Sequence, residues 1–167
     1  MEIVDVYNKR KELTGKKKER YEKVDGQYTQ YVHVWIMNDK NEFLIQKRAE
    51  SKKINPNKWS QTGGAVDCGE EIIEAAIREV KEELGLSVSK EDIEFMLSYK
   101  RKYTFMDVFL VRKNIELKEV VLQKEEVKEV KWVTKKEIED MVKSGKIVGT
   151  LKLYYKLFFD LLKDYDK

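Results

Sequence analysis

The sequence predicts an α+β fold in which helices cover a mixed β-sheet. Three observations carry this expectation. Runs rich in β-branched and aromatic residues fall at 2–7, 27–37 and 42–47, and again at 93–99, 103–112 and 127–133. One amphipathic helical stretch separates the two groups, and two more helical patterns close the chain. The order strands, helix, strands, helix, helix suits a sheet covered by helices. The 167 residues fit one domain, 1–167, with an N-terminal strand and basic segment in 1–27 and a C-terminal helix in 150–167.

Each element has its own signal. Residues 2–7 (EIVDVY) read as a short strand, and 8–15 as a turn or hairpin. In 27–37, Val32, Val34 and Ile36 alternate onto one face of a strand. Asn38, Asp39, Lys40 and Asn41 make a turn, and 42–47 is the returning strand. Residues 48–59 are a loop with the only proline, Pro56, and 63–70 are a glycine-rich loop. A helix follows, and Gly85 stands where its C-cap belongs. A turn at 89–92 leads to an antiparallel pair, 93–99 and 103–112, and then to a strand at 127–133. Thr134 and Glu137 form a capping box for a helix to about Lys143. The last helix starts at about Thr150, with Tyr154, Leu157, Phe158, Leu161 and Leu162 as its apolar stripe.

Composition excludes several classes. Charged residues are 39% of the chain, yet 34 basic against 31 acidic residues leave only +3, too little to argue for a nucleic-acid partner. The basic run 9–20 is the local exception, and it reads as a solvated turn and the segment after it. A single cysteine, Cys68, rules out an internal disulfide and fits a cytoplasmic location. No apolar run is long enough to span a membrane, and no signal-peptide pattern opens the chain. The oligomeric state is not legible, so a homodimer stays open.

The stretch with the most chemistry is 64–86, GAVDCGEEIIEAAIREVKEELGL. Glu79, Glu82 and Glu83 lie three and four apart and share a helical face, while Ile73, Ile77, Val80 and Leu84 form an apolar stripe. Acid-rich helices are ordinarily solvated, and charge alone does not set this one apart. The loop before it does, because three glycines among its residues allow close backbone approach to a ligand. Crowded carboxylates are most easily kept if a cation sits among them, and oxygen ligands select a hard ion such as Mg²⁺, with Mn²⁺ as the alternative.

Gly64, five residues, Glu70, seven residues, then Arg78-Glu79-Val80-Lys81-Glu82-Glu83-Leu84-Gly85-Leu86 resembles the signature of the Nudix hydrolases at every specified position. The resemblance implies a Nudix-type α/β/α sandwich and Mg²⁺-dependent hydrolysis of a diphosphate linkage in a nucleoside diphosphate-linked or related small molecule. It implies Glu79 and Glu83 as metal ligands, Glu82 as a ligand or the holder of a water, and the Gly63 carbonyl as a further ligand. Glu70 and Gly64 support the site, and Arg78 fixes a carboxylate rotamer. The general base is Glu79, Glu82 or an acid outside the signature. Glu126 is preferred, with Glu125 and Asp107 as the other candidates.

A second resemblance covers VHVWIMNDKNEFLIQKRAESKKINPNKW, which is similar to the corresponding part of isopentenyl-diphosphate isomerase. It implies that Arg48 and Lys52 grip a diphosphate. That enzyme's catalytic cysteine and metal-binding histidine are missing, since Gly63 and Ala65 stand in their places. The expected activity is therefore hydrolysis on an isomerase-like frame. Isomerisation of isopentenyl diphosphate and non-catalytic nucleotide or RNA binding are the alternatives. His33 reads as a packed residue, Cys68 as a bystander and Trp59 as loop packing. The clustered acids are expected to have raised, coupled pKa values without metal, with activity rising toward alkaline pH.

Overall fold

The computed structural model describes residues 2–149 and 153–165. Its strands are β1 (Ile3–Tyr7), β2 (Leu13–Glu19), β3 (Thr29–Met37), β4 (Glu42–Arg48), β5 (Trp59–Ser60), β6 (Thr62–Ala65), β7 (Ile93–Lys100), β8 (Thr104–Arg112) and β9 (Val127–Thr134). Its helices are α1 (Ile72–Leu84), α2 (Lys135–Lys143) and α3 (Tyr154–Tyr165).

Strand β3 is the hub of the main sheet. It runs parallel to β8 over its whole length, from Thr29 opposite Thr104 to Met37 opposite Arg112. Its far edge is shared. The end at Ile36 and Met37 pairs with β4 across the Asn38–Asn41 turn, and Tyr31 to Val34 pair with β6. Beyond these lie β7 antiparallel to β8, and β5 and β9 antiparallel to β4. The sheet is thus mixed, as the strand order predicts. Hairpin β1–β2 is a separate two-stranded sheet, tied to β3 by a bridge from Tyr7 to Tyr28.

Alternation along β3 divides the core into two layers. Val32, Val34 and Ile36 meet Ala76, Val80 and Leu84 of α1, together with Leu44 and Phe109. Trp35 and Met37 point the other way, into a cluster with Phe43, Leu110, Ile138 of α2 and Tyr154 and Phe158 of α3. Trp35 is fully buried, stacks on Phe158 at 5.1 Å and donates its indole N–H to Tyr154 Oη at 2.9 Å. Helices on both faces make this an α/β/α sandwich of the α+β class.

The capping box at Thr134 and Glu137 starts α2, with the Glu137 N–H donating to Thr134 Oγ1. Gly85, at φ 70°, closes α1 by donating its N–H to the Lys81 carbonyl.

Three expectations need correction. Leu13–Glu19 is a strand, so of the two readings of 8–15 the hairpin holds, and the basic run 9–20 is largely strand, not a turn and the segment after it. Its residues are exposed on both faces except Lys18, so alternation cannot reveal it. Thr62–Ala65 is also a strand, not loop, since the β3 ladder holds it despite two glycines. In α3 the buried residues are Tyr154, Tyr155, Phe158, Phe159 and Leu162, while Leu157 is exposed and Leu161 only partly covered. The expected start of that helix at Thr150 lies outside the described residues. Among the described residues no helix is long and apolar enough to cross a membrane.

Candidate active site

Helix α1 lies against β6 and β3, and this contact decides where its acids go. Packing Ala76, Val80 and Leu84 against the sheet also turns Glu79 and Glu83 inward, at 8% and 4% exposure. Glu82 stays outside, with its side chain 49% exposed. The three acids therefore do not share one solvent face. Two are sunk in the floor of a cleft of about 240 Å³ and one stands at its rim.

Two adjacent glycines make room for this floor. A Cβ on Gly64 would lie 2.1 Å from Glu79 Oε1, so the carboxylate occupies the space a side chain would take. A Cβ on Gly63 would meet the Val32 carbonyl at 2.1 Å, and Gly63 has a φ of 155° that other residues rarely adopt. The Gly63 N–H donates to Glu83 Oε2 at 3.1 Å. Gln46 Nε2 donates to the same oxygen at 2.7 Å and itself accepts from Thr62 Oγ1.

Burial pushes the Glu83 carboxyl up to about 8, and the neighbouring Glu79 adds to the rise. The hydrogen bonds from Gln46 and Gly63 oppose the shift without cancelling it. Burial likewise raises Glu79, against the opposing charge and hydrogen bond of Arg78. Burial would also raise Glu70, but the Arg78 fork and the Asp67 N–H outweigh it and hold that carboxyl low.

Arg78 organises this wall. Its Nε and Nη2 donate to the two Glu70 oxygens at 2.8 and 2.9 Å, its Nη1 to Glu79 and Glu82 at 3.0 and 3.1 Å, and its Nη2 also to the Ala65 carbonyl. This planar fork links loop, helix and strand in a way a lysine cannot.

The cleft carries cations as well. Arg48 and Lys52 both line the cleft. Arg48 Nε donates to the Ile54 carbonyl at 3.1 Å, which folds the 48–59 loop back on itself. Lys52 Nζ reaches Glu126 Oε1 at 2.6 Å, and Glu126 lines the cleft as well. Glu125 does not line it. Asp107 is engaged elsewhere, with Lys11 Nζ and Ser98 Oγ.

Sequence reasoning missed part of the cleft. Glu2, Arg20 and Tyr21 reach it from hairpin β1–β2 and the turn after it. The Arg20 guanidinium lies 5.3 Å from the Tyr21 ring and 5.5 Å from the Tyr31 ring, and its Nη1 pairs with Glu2. No local signal assigns Arg20 to the cleft, because the hairpin and the acidic helix are far apart in sequence. Gln46 was missed too, although a lone glutamine among the apolar residues of β4 is a readable sign of a buried polar role.

The residues read as bystanders lie off the cleft. His33 Nδ1 is 3.3 Å from Tyr154 Oη, on the α3 side of the sheet, and burial pushes its pKa down to about 3. Cys68 Sγ donates to Asp5. Trp59 lies under Lys131 and Lys47.

The donor set fits a hard divalent cation. Glu79, Glu82 and Glu83 bring carboxylate oxygens to one cleft that Gly63 also lines, and a cation would relieve the burial of two neighbouring carboxyls. Among the described residues no three acidic or imidazole side chains converge into a ready cage. Arg78 holds Glu79 and Glu82 through one oxygen each, Oε1 and Oε2, so the second oxygen of each lies outside those contacts.

Comparison with known proteins agrees with this geometry. The NUDIX domain family model matches residues 27–151. An uncharacterized Nudix hydrolase of Listeria monocytogenes is 40% identical over 150 residues, covering 89% of each chain. An isopentenyl-diphosphate Δ-isomerase of Photorhabdus laumondii is 37% identical over 79 residues, only 44% of this chain and 42% of that one. The crystal structure of DR0079 from Deinococcus radiodurans superposes with a TM-score of 0.78 over 96% of this chain and 99% of that one, at 22% identity, and so shares its fold.

Proposed function

The chain belongs to the Nudix hydrolase family, and from that membership we propose that it performs Mg²⁺-dependent hydrolysis of a diphosphate linkage in a nucleoside diphosphate-linked or related small molecule. Mn²⁺ is the alternative ion, and the cytoplasm the proposed location. The observation that carries the reading is the meeting of buried carboxylates and cations in one cleft. Glu79 and Glu83 lie buried, and Arg20, Arg48 and Lys52 line the same cleft. Acids without the cations would suit an ion alone, and cations without the acids would suit an anion alone. Together they suit an anhydride brought to a cation.

When bound, the cation neutralises charge on the diphosphate and lowers the pKa of water. The chain supplies the rest. Glu79, Glu82, Glu83 and the Gly63 carbonyl hold the ion. Arg48 and Lys52 receive the diphosphate oxygens and orient the anhydride. Arg78 positions Glu79 and Glu82, while Glu70 and Gly64 support that arrangement. Glu126 takes the proton from the attacking water, and its contact with Lys52 Nζ holds its carboxylate beside the diphosphate-binding lysine.

The isomerase alternative has less support. Gly63 and Ala65 carry no group able to move a proton at carbon, and the only cysteine and histidine lie off the cleft. A pure binding module would not need a complete carboxylate set. The deciding experiment is a screen of nucleotide sugars, nucleoside di- and triphosphates, dinucleoside polyphosphates and prenyl diphosphates with Mg²⁺ and Mn²⁺. Glu82→Gln and Glu83→Gln are then assayed on the best substrate. Full activity in both variants would overturn the assignment. Conversion of isopentenyl to dimethylallyl diphosphate would replace it with isomerisation.

A further inference from the structure

Charge in this chain is distributed far less evenly than its total implies. Residues 9–20 hold seven basic and two acidic side chains, a net of +5, and 100–102 add +3. Since the whole chain carries +3, everything else nets −5. The two basic segments are some eighty residues apart in sequence, and the fold puts them together. Lys100 Nζ donates to the Lys9 carbonyl at 3.4 Å, and Lys11 Nζ reaches Ser98 Oγ and Asp107 between β7 and β8. The tip of hairpin β1–β2 thus sits on the β7–β8 turn.

Much of this charge is not neutralised locally. Among the described residues Lys9, Lys16, Lys100, Arg101 and Lys102 are exposed and none of them makes a salt bridge with an acid. Nearby acids are largely engaged: Glu12 with Arg10, Asp107 with Lys11, and Asp25 as acceptor from Tyr103 Oη. Glu19 and Glu22 remain. Aromatic rings lie among the cations. Lys100 Nζ is 4.3 Å from the Tyr28 ring centroid and Lys102 Nζ is 5.0 Å from that of Tyr103.

The patch also has a direction. β2 covers about 23 Å at ~3.3 Å per residue. It starts at this basic tip and ends at Glu19, directly before Arg20 and Tyr21 in the cleft. Tyr21 exposes its ring there. Free cations in a row with interspersed aromatics are the means by which proteins hold a single strand, since charge tracks the backbone and rings accept bases. Lysines on an edge strand also discourage strand pairing. That role does not explain Lys100, Arg101 and Lys102, which lie at a turn.

We propose that hairpin β1–β2 and the β7–β8 turn form a docking surface for single-stranded nucleic acid, leading along β2 to the mouth of the cleft. The sequence reading of 9–20 as a solvated segment changes because the fold supplies a second basic segment beside it. The surface does not depend on the hydrolytic assignment, and its test uses binding without metal.

The experiment is fluorescence anisotropy of the full chain in EDTA, with 3′-labelled single-stranded RNA and DNA of about a dozen nucleotides. Affinity is expected to fall with salt at a slope of about −3 in log K against log salt, from roughly four contacts at ~0.7 each. Changing Lys9, Lys16 and Arg101 together to Ser should weaken binding at least tenfold and flatten the slope to about −1. All three side chains are exposed, so circular dichroism and turnover of small diphosphates should stay unchanged. No binding at about 50 mM salt overturns the proposal, and so does equal binding by the triple variant. Retention by phosphatidylserine vesicles without oligonucleotide binding assigns the patch to a membrane surface instead.

Discussion

Replacing Glu83 with Gln separates the stability of the cleft from its activity. In the metal-free protein Glu83 is a buried carboxyl whose pKa is pushed up to about 8, against 4.5 for an ordinary glutamate. Between these values the folded protein holds a proton that the unfolded chain has released. Stability attached to this group is therefore complete below about pH 4.5 and falls as pH rises toward 8. The rise amounts to a loss on the order of 4 kcal/mol between pH 5 and 9, at about 1.4 kcal/mol per pKa unit. A glutamine carries no charge and keeps an oxygen for the Gln46 and Gly63 donors, so Glu83→Gln should escape most of that loss.

Urea denaturation in EDTA at pH 5 and pH 9 reads the difference. The variant should match wild type within about 1 kcal/mol at pH 5 and exceed it by several kcal/mol at pH 9, roughly 10 °C in Tm. Turnover with Mg²⁺ should meanwhile fall by at least about 100-fold, and added Mg²⁺ should stabilise wild type but not the variant. A variant no more stable than wild type at pH 9 would refute the reasoning. A gain of the same size at both pH values would do so equally, since it would then owe nothing to titration.

Other expectations follow from single contacts. Gly64→Ala pushes a methyl into the Glu79 carboxylate and should lower kcat and Mg²⁺ affinity by about 10- to 100-fold, with an unfolding loss of about 1–3 kcal/mol in urea titration. Arg78→Lys cannot bridge Glu70, Glu79 and Glu82 at once, so kcat should drop about 10- to 100-fold while KM moves little in steady-state assays. Thr134→Ala removes the α2 cap far from the cleft and should cost about 1 kcal/mol in denaturant melts with unchanged kcat/KM. Phe158→Ala opens a cavity under Trp35 and should cost about 3–5 kcal/mol by the same measurement.

The acidic floor of the cleft was legible because its spacing is local. Glu79, Glu82 and Glu83 are read from one helix, and the glycines before them from one loop. Their division between floor and rim was not legible, since it depends on the angle at which α1 meets β6. Runs of β-branched and aromatic residues marked β3, β4, β7 and β8 as strands, and the Thr134–Glu137 pair marked the start of α2. β2 escaped notice because an edge strand exposed on both faces has no alternation to read. β6 escaped because its two glycines contradict strand propensity until β3 is present to pair with them. In α3 the rings that meet Trp35 and Phe43 set the buried face, and propensity has no access to that choice. Arg20 enters the cleft from a segment whose proximity to the acidic helix only the fold creates.

The parallel ladder between β3 and β8 has a consequence for how the chain acquires its shape. Its partners stand 75 residues apart, as Thr29 and Thr104 show. That loop must close before the central pair can form, and such non-local closure slows folding relative to hairpins that zip locally. During synthesis α1 is made before β8, so its apolar stripe waits for Phe109 and Val111 to complete the layer that covers it. The cleft is complete later still, when the segment after β8 brings Glu126 beside Lys52.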